Sequence, residues 1–296
     1  MAKRFRDLSS GVRLRISGDD RIRFLNGQTT RDVRKANAKS VQESCVLNAK
    51  GHLDAHLFLF ATTDAIWLSA EVELRKNLPE RLERYVIADD VSIEDVTDQF
   101  ALLHFVAETP PANFEYEVCL RADRLGTIGW DIWIPTERKQ ELLSSLVGQF
   151  DGMSDAEWET LRIEQGIPQW GRELTPDIIP PEANLASRAI DYEKGCYIGQ
   201  EVISRMKMSG QVRQQLCGIL LENDGELVSG MGLSNNGKAA GRITSAIFSS
   251  RLNMPIALAL IKRGLTEPGT KLVASIEGAT VNVHVANLPF AAASHI

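Results

Sequence analysis

The chain has 296 residues, 44% of them apolar and 24% charged, with a net charge of −6. That apolar share can bury one large core or two ordinary ones, and the acidic balance argues against a general nucleic-acid binder, which needs a basic excess to neutralise phosphates. No apolar run approaches the ~18 residues of a membrane-spanning helix, so no membrane contact is expected.

The opening MAKRFRDLSSGVRLRISG is rich in Arg and Ser, as transit peptides are. Val12, Leu14 and Ile16 nevertheless alternate with Arg13, Arg15 and Ser17, the pattern of a half-buried strand. Folded protein is therefore expected here, with a strand over 12–18, and the missing signal-peptide core argues against export. Helical spacing of Ile22, Phe24 and Leu25 follows over 21–28, with Asp19 or Asp20 as N-cap. Residues 45–48 and 53–61 read as paired strands around an Ala-Lys-Gly turn, and 65–70 as a third. Apolar residues at 74, 78, 82 and 86 predict an amphipathic helix over 74–86. Strands are expected at 91–96, 101–106, 115–121 and 128–134, with a loop at 109–113. A helix over 137–150 would bury Leu142, Leu143, Leu146 and Val147. Another would run from a Ser154 cap, with Glu157 three residues on, to Glu164.

Residues 166–198 carry Pro168, Pro176, Pro180 and Pro181 and no periodicity. A ~30-residue irregular stretch in a globular chain is usually functional or disordered, and Trp170, Ile178, Ile179 and Leu185 argue for order. From 211 onward short β-type runs alternate with glycine-rich turns, which predicts a small antiparallel barrel. The division expected is an α+β core over 1–210 and a barrel over 211–296.

The four cysteines, Cys45, Cys119, Cys196 and Cys217, have neither zinc-site nor CxxC spacing, which fits a reducing compartment. Cys196 alone sits in an unusual setting, KGCYIGQEVISRM, about three residues before an expected helix at 199–208. A helix N-terminus and a nearby cation, here Lys194, both lower a thiol pKa; Glu193 and Glu201 oppose them. Asn26, Gln28 and Thr29 can face a polar ligand. His52, Asp54 and His56 alternate, so on a strand they would share one face, as the ligands of a metal site do; nothing else in the chain completes such a site, and a solvent-facing strand side opposite Leu53, Leu57 and Leu59 is the plainer reading. Trp170 can stack on a flat heterocycle, with Glu173 or Asp177 beside it for hydrogen bonds, or can anchor the loop to the core.

The segment LRIEQGIPQWGRELTPDIIPPEANL followed by KGCYIGQEVISRM resembles the YgfZ/Iba57 family, a relative of the glycine cleavage T-protein (aminomethyltransferase). SGDDRIRFLNGQTTRDV and LNAKGHLDAHL resemble its two N-terminal motifs. The resemblance covers essentially the whole chain and implies an α+β, T-protein-like ring of ferredoxin-like lobes closed by a C-terminal antiparallel β-barrel. It implies a folate-binding factor that assists assembly or repair of iron–sulfur clusters. Its ligand would be tetrahydrofolate or a related folate, and a transient cluster would be shared with scaffold or carrier proteins and client enzymes. Carried over by position, Lys194, Gly195, Cys196, Tyr197, Gly199, Gln200 and Glu201 form the signature, and Cys196 is the functional thiol. Trp170 stands where T-proteins have a folate-contacting tyrosine, and Asp177 and Arg213 fall near other folate contacts. The resemblance also implies a cytoplasmic protein in a bacterium or a matrix protein in a mitochondrion. T-proteins carry an acidic pair in the Lys50–His56 region, whereas this chain has Asp54-Ala55-His56. That departure moves it away from aminomethyl transfer, the alternative activity, for which Asp54 is the remaining acid.

Overall fold

The computed structural model describes residues 3–112, 114–223 and 225–290. In chain order the strands and helices of the first half are β1 (Arg4–Asp7), β2 (Val12–Ser17), α1 (Arg21–Gln28), β3 (Gln42–Leu47), β4 (Leu53–Ala61), β5 (Ile66–Ala70), α2 (Asn77–Glu83), β6 (Ser92–Asp95), β7 (Phe100–Val106), β8 (Val118–Arg121), β9 (Gly129–Pro135), α3 (Lys139–Ser145) and β10 (Asp151–Gly152). They are followed by α4 (Asp155–Glu164), α5 (Ala186–Ala189), α6 (Gln200–Ser209), β11 (Gln214–Leu221), β12 (Gly232–Asn235), β13 (Lys238–Ser249), β14 (Met254–Lys262), β15 (Lys271–Ile276) and β16 (Ala279–Ala286). The chain packs as two compact units, one of residues 3–154 and 187–202, the other of 155–186 and 203–290, within the described residues.

The first unit holds two five-stranded sheets, ordered β3-β4-β5-β2-β6 and β10-β1-β7-β9-β8. Along β4 the side chains of Leu53, Ala55, Leu57 and Leu59 are fully buried, as the period of two demands when one face of a strand meets a core. Phe60 and Trp67 from the first sheet and Leu102, Leu120 and Trp133 from the second form one apolar cluster between the sheets, with Phe60 and Trp133 edge to face at 5.3 Å. The far side of the second sheet buries Leu103, Phe105, Ile132 and Ile134 against Leu142 and Leu146. Each such side chain contributes roughly 1.5–3 kcal/mol when removed from water.

Two helices are shorter than their apolar spacing predicts. Pro79 sits in the first turn of α2 and has no N–H for an upstream turn to use, so the helix starts at Asn77, after a 3₁₀ turn at Val72–Leu74. The segment 137–150 is a 3₁₀ turn and then α3, and Gly148 takes a left-handed φ of +75° that stops the helix. Val147 is in consequence 80% exposed, not part of the apolar face. The loop expected at 109–113 is irregular through Ala112; Asn113 lies outside the described residues.

In the second unit β11-β14-β13-β12-β15-β16 closes into an antiparallel barrel, the pairing β11–β16 shutting the ring. Its inward residues, among them Ile219, Leu233, Ile243, Ile261, Leu272 and Val283, make one core. Closure removes the free strand edges that an open sheet of this length exposes. The barrel expected from 211 onward is formed by these six strands, with β12 and the start of β13 inside the glycine-rich stretch 230–243, and the fold class is α+β with a C-terminal barrel. No helix among the described residues is long and apolar enough to cross a membrane.

Candidate functional site

Cys196 is exposed at the crest of the loop joining α5 to α6, whereas Cys45 and Cys217 are buried. The loop is stitched to the segment following α1. Thr30 Oγ1 donates to the Ala189 carbonyl at 2.6 Å, the Asp191 N–H donates to the Thr30 carbonyl, and Lys35 pairs with Asp191 at 2.6 Å. On the other side of the cysteine the Ile198 N–H donates to the Gly27 carbonyl at 3.2 Å.

Lys194 is the central anchor. Only 5% exposed, its ammonium donates to the carbonyls of Asn26 at 2.7 Å, Thr29 at 2.6 Å and Arg31 at 2.8 Å. Its three N–H groups are thus spent on the orphan acceptor of Asn26 in the last turn of α1, on the C-cap Thr29 and on Arg31 just beyond it. It also lies 5.0 Å from the centre of the Tyr197 ring. Burial pushes the Lys194 pKa down to about 8, against opposing attraction from Asp32 and Asp191. Burial likewise raises the Tyr197 hydroxyl, which stays protonated in the neutral range. Lys194 therefore acts on the loop's shape, and it has no donor left to offer the thiol.

The glycines divide by role. Gly199 has φ +83°, and a side chain there would meet the Asn48 carbonyl oxygen at 2.6 Å. Gly51, φ +79°, would likewise place a Cβ 2.9 Å from Val202 Cβ. The Ala49-Lys50-Gly51 turn and the start of α6 touch backbone to backbone, which only glycines permit. Gly195 faces open space. Gln200 opens α6, with its N–H on the Tyr197 carbonyl at 3.2 Å, and Glu201 is exposed in its first turn.

Asn26 and Gln28 belong to this same region, but their amide oxygens already accept, from the Val33 N–H and from Arg81. Arg81 Nε also binds Asp54 at 2.6 Å and its Nη2 the Leu47 carbonyl. Thr30 and Arg81, which organise the region, carry no sequence signal beyond a Thr-Thr pair after a helix that lacks a glycine cap. The His-Asp-His arrangement that a metal site would need does not form: His52 precedes β4, Asp54 is held by Arg81, and His56 Nε2 is hydrogen-bonded to Glu43 at 2.8 Å. Among the described residues no three His, Cys, Asp or Glu side chains converge on a metal position.

Trp170, Asp177 and Arg213 lie in the second unit. Trp170 is half-buried on a tight turn in which the Gly171 N–H donates to the Leu174 carbonyl. Arg213 donates Nε to the buried Glu182 at 3.0 Å and Nη2 to the Asp177 carbonyl at 2.8 Å. Its side chain is 62% exposed, and the Asp177 carboxylate faces solvent. Glu173, suggested beside Asp177 as a ligand contact, is instead fully buried and bound by Arg162, Ser245 and the Gln169 N–H.

The profile of the glycine cleavage T-protein C-terminal barrel domain matches residues 214–291. A putative chloroplast transferase of Arabidopsis thaliana is 30% identical, over 98% of this chain and 71% of its own length. An aminomethyltransferase of Desulfitobacterium hafniense is 27% identical over 94% of this chain and 84% of its own. The tRNA-modifying protein YgfZ of Yersinia pestis is 26% identical over 78% and 76%. The crystal structure of aminomethyltransferase T of the glycine cleavage system from Bartonella henselae superimposes with a TM-score of 0.87, covering 98% of this chain and 86% of that one at 19% identity. That superposition establishes the shared fold.

Proposed function

Because this chain belongs to the family that unites the YgfZ proteins with the glycine cleavage aminomethyltransferases, we propose that it is a folate-binding accessory factor for assembly or repair of iron–sulfur clusters, acting through the thiol of Cys196. The observation that carries this reading is an exposed cysteine on a loop fixed upstream by the buried hydrogen bonds of Ala189 and Lys194 and downstream by the Ile198 N–H on the Gly27 carbonyl. A thiolate is a soft ligand for iron, and a single one cannot complete a cluster site. The cluster is therefore cargo, held jointly with a scaffold, carrier or client protein that supplies the other ligands.

The side chains in the second unit suit a folate. Trp170 offers an aromatic face, the exposed Asp177 carboxylate an acceptor for the amino edge of a pterin, and Arg213 a guanidinium with Nη1 uncommitted for a glutamate tail. Bound folate would supply a flat heterocycle and a carboxylate tail. Asn26 and Gln28 fit less well, since each amide oxygen already has a donor.

The test is maturation of a four-iron enzyme by a scaffold protein, with wild type or Cys196→Ala added. Equal support from both sinks the thiol reading. A folate-dependent one-carbon transferase is the second reading, favoured by the aminomethyltransferase relatives spanning 94% of the chain. Its acid would be Asp54, whose carboxylate is committed to Arg81. One-carbon transfer to tetrahydrofolate, lost in Asp54→Asn, would favour it instead.

A further inference from the structure

Arg13 is a buried charge without a counter-charge. Its side chain, on β2 in the first unit, is 1% exposed. The guanidinium donates to three backbone carbonyls, Nη2 to Ser9 at 2.7 Å and Thr97 at 2.6 Å, and Nη1 to Leu8 at 3.4 Å. Among the described residues no carboxylate pairs with it, and Nε has no protein acceptor. Buried charges are normally paired because leaving water costs several kcal/mol per ion. Burial accordingly lowers the Arg13 pKa to about 10, with Asp7, Asp95 and Asp98 offsetting it only in part.

A cavity of about 60 Å³ opens beside this guanidinium, lined also by Ser69, Arg124, His56, Phe58 and Glu71. Ser69 is 5% exposed and its oxygen accepts Arg124 Nη2 at 2.8 Å. Its own hydroxyl proton has no acceptor among the described residues. Arg13, whose Nε–H has no protein acceptor, and Ser69, whose hydroxyl proton has none, both line this cavity. Of the other polar groups there, Arg124 is paired with Asp131 at 2.7 Å, and His56 Nε2 is hydrogen-bonded to Glu43 at 2.8 Å. Glu71, the acid in the lining, is exposed to solvent. A water needs roughly 10–15 Å³ of such space, so the cavity admits an ion of halide size or a carboxylate as small as formate.

We propose that this cavity binds a small anion, held by Arg13 and the Ser69 hydroxyl. Its lining includes no residue of the cysteine loop.

Chloride-35 NMR linewidths and thermal melts, recorded from zero to 200 mM chloride with gluconate keeping ionic strength constant, provide the test. Wild type should broaden the chloride signal and gain melting temperature saturably, with formate competing. Ser69→Ala should weaken the apparent affinity about tenfold while leaving the fold intact, and Arg13→Gln should abolish it. Bromide soaked into crystals should give an anomalous peak in the cavity. No chloride dependence, with water filling the space, overturns the proposal. So does an unaltered dependence in Ser69→Ala, which would mark a general salt effect and keeps the test decisive if Arg13→Gln fails to fold.

Discussion

The Nζ of Lys194 lies 2.6 Å from the carbonyl oxygen of Thr29, across 165 residues of chain. That contact and its two companions tie the cysteine loop to the end of α1 and are the reason Cys196 has a fixed position. Lys194→Met should leave three carbonyls without their donor and cost about 1–3 kcal/mol for each one that stays dry. The pH dependence has a definite sign. Lys194 titrates near 8 in the folded chain against 10.5 when free, so between those values the unfolded chain holds the extra proton. Its contribution makes stability fall as pH drops from 10.5 to 8, by at most about 1.4 kcal/mol per pH unit, and level off below. Urea unfolding of wild type and Lys194→Met at pH 7, 8, 9 and 10 checks it; the difference between the two must change across that window.

Gly199→Ala should cost about 2 kcal/mol or more, because a left-handed backbone and a clash with the Asn48 carbonyl act together. Gly195→Ala, in open space, should stay within about 0.5 kcal/mol of wild type. Chemical denaturation of the pair separates a glycine needed for shape from one that is merely adjacent to the thiol.

Alkylation of the native protein at pH 8 should give one adduct, on Cys196. Burial pushes Cys119 and Cys217 up to about 11, leaving roughly a thousandth of each as thiolate, and raises the fully buried Cys45 well above the ordinary thiol range. Mass spectrometry of peptides after a short iodoacetamide pulse reads this directly, and equal labelling of Cys119 would contradict it. Cys196→Ser should remove the adduct without changing the melting temperature.

Arg162 is 2% exposed and joins Glu159, Glu173 and Ser245. Arg162→Met should destabilise the second unit by about 3–5 kcal/mol, since Glu173 is left as a buried charge without its cation. Thermal unfolding of the purified variant measures the loss, and a melt equal to wild type would refute the network's role.

For the folate reading, Trp170→Ala and Arg213→Ala should each weaken tetrahydrofolate binding about tenfold or more, the first through lost stacking and the second through a lost guanidinium–carboxylate contact. Asn26→Ala, whose amide oxygen already has the Val33 donor, should change binding far less. Calorimetric titration distinguishes the three.

Much of the fold was legible locally. Alternation along 12–17 and 53–61 marked the strands, and glycine-rich turns after 211 marked the barrel, because strand burial follows a period of two that any stretch of chain displays by itself. The helices at 77–83 and 139–145 came out shorter than their apolar spacing suggests, since Pro79 and Gly148 overrule periodicity by covalent geometry. The KGCYIGQE string also identified the family and singled out Cys196 from residues alone. Partnership was the part that sequence could not contain. Lys194 reads as a cation beside a thiol but spends its protons on the carbonyls of Asn26, Thr29 and Arg31. His56 reads as a metal ligand but belongs to Glu43, and Glu173 reads as a ligand contact but is locked under Arg162. Charge and hydrogen-bonding capacity are properties of a residue, and the sequence fixes them. The atom that satisfies each one is set by which distant segments the cores bring together, and only the tertiary structure decides that.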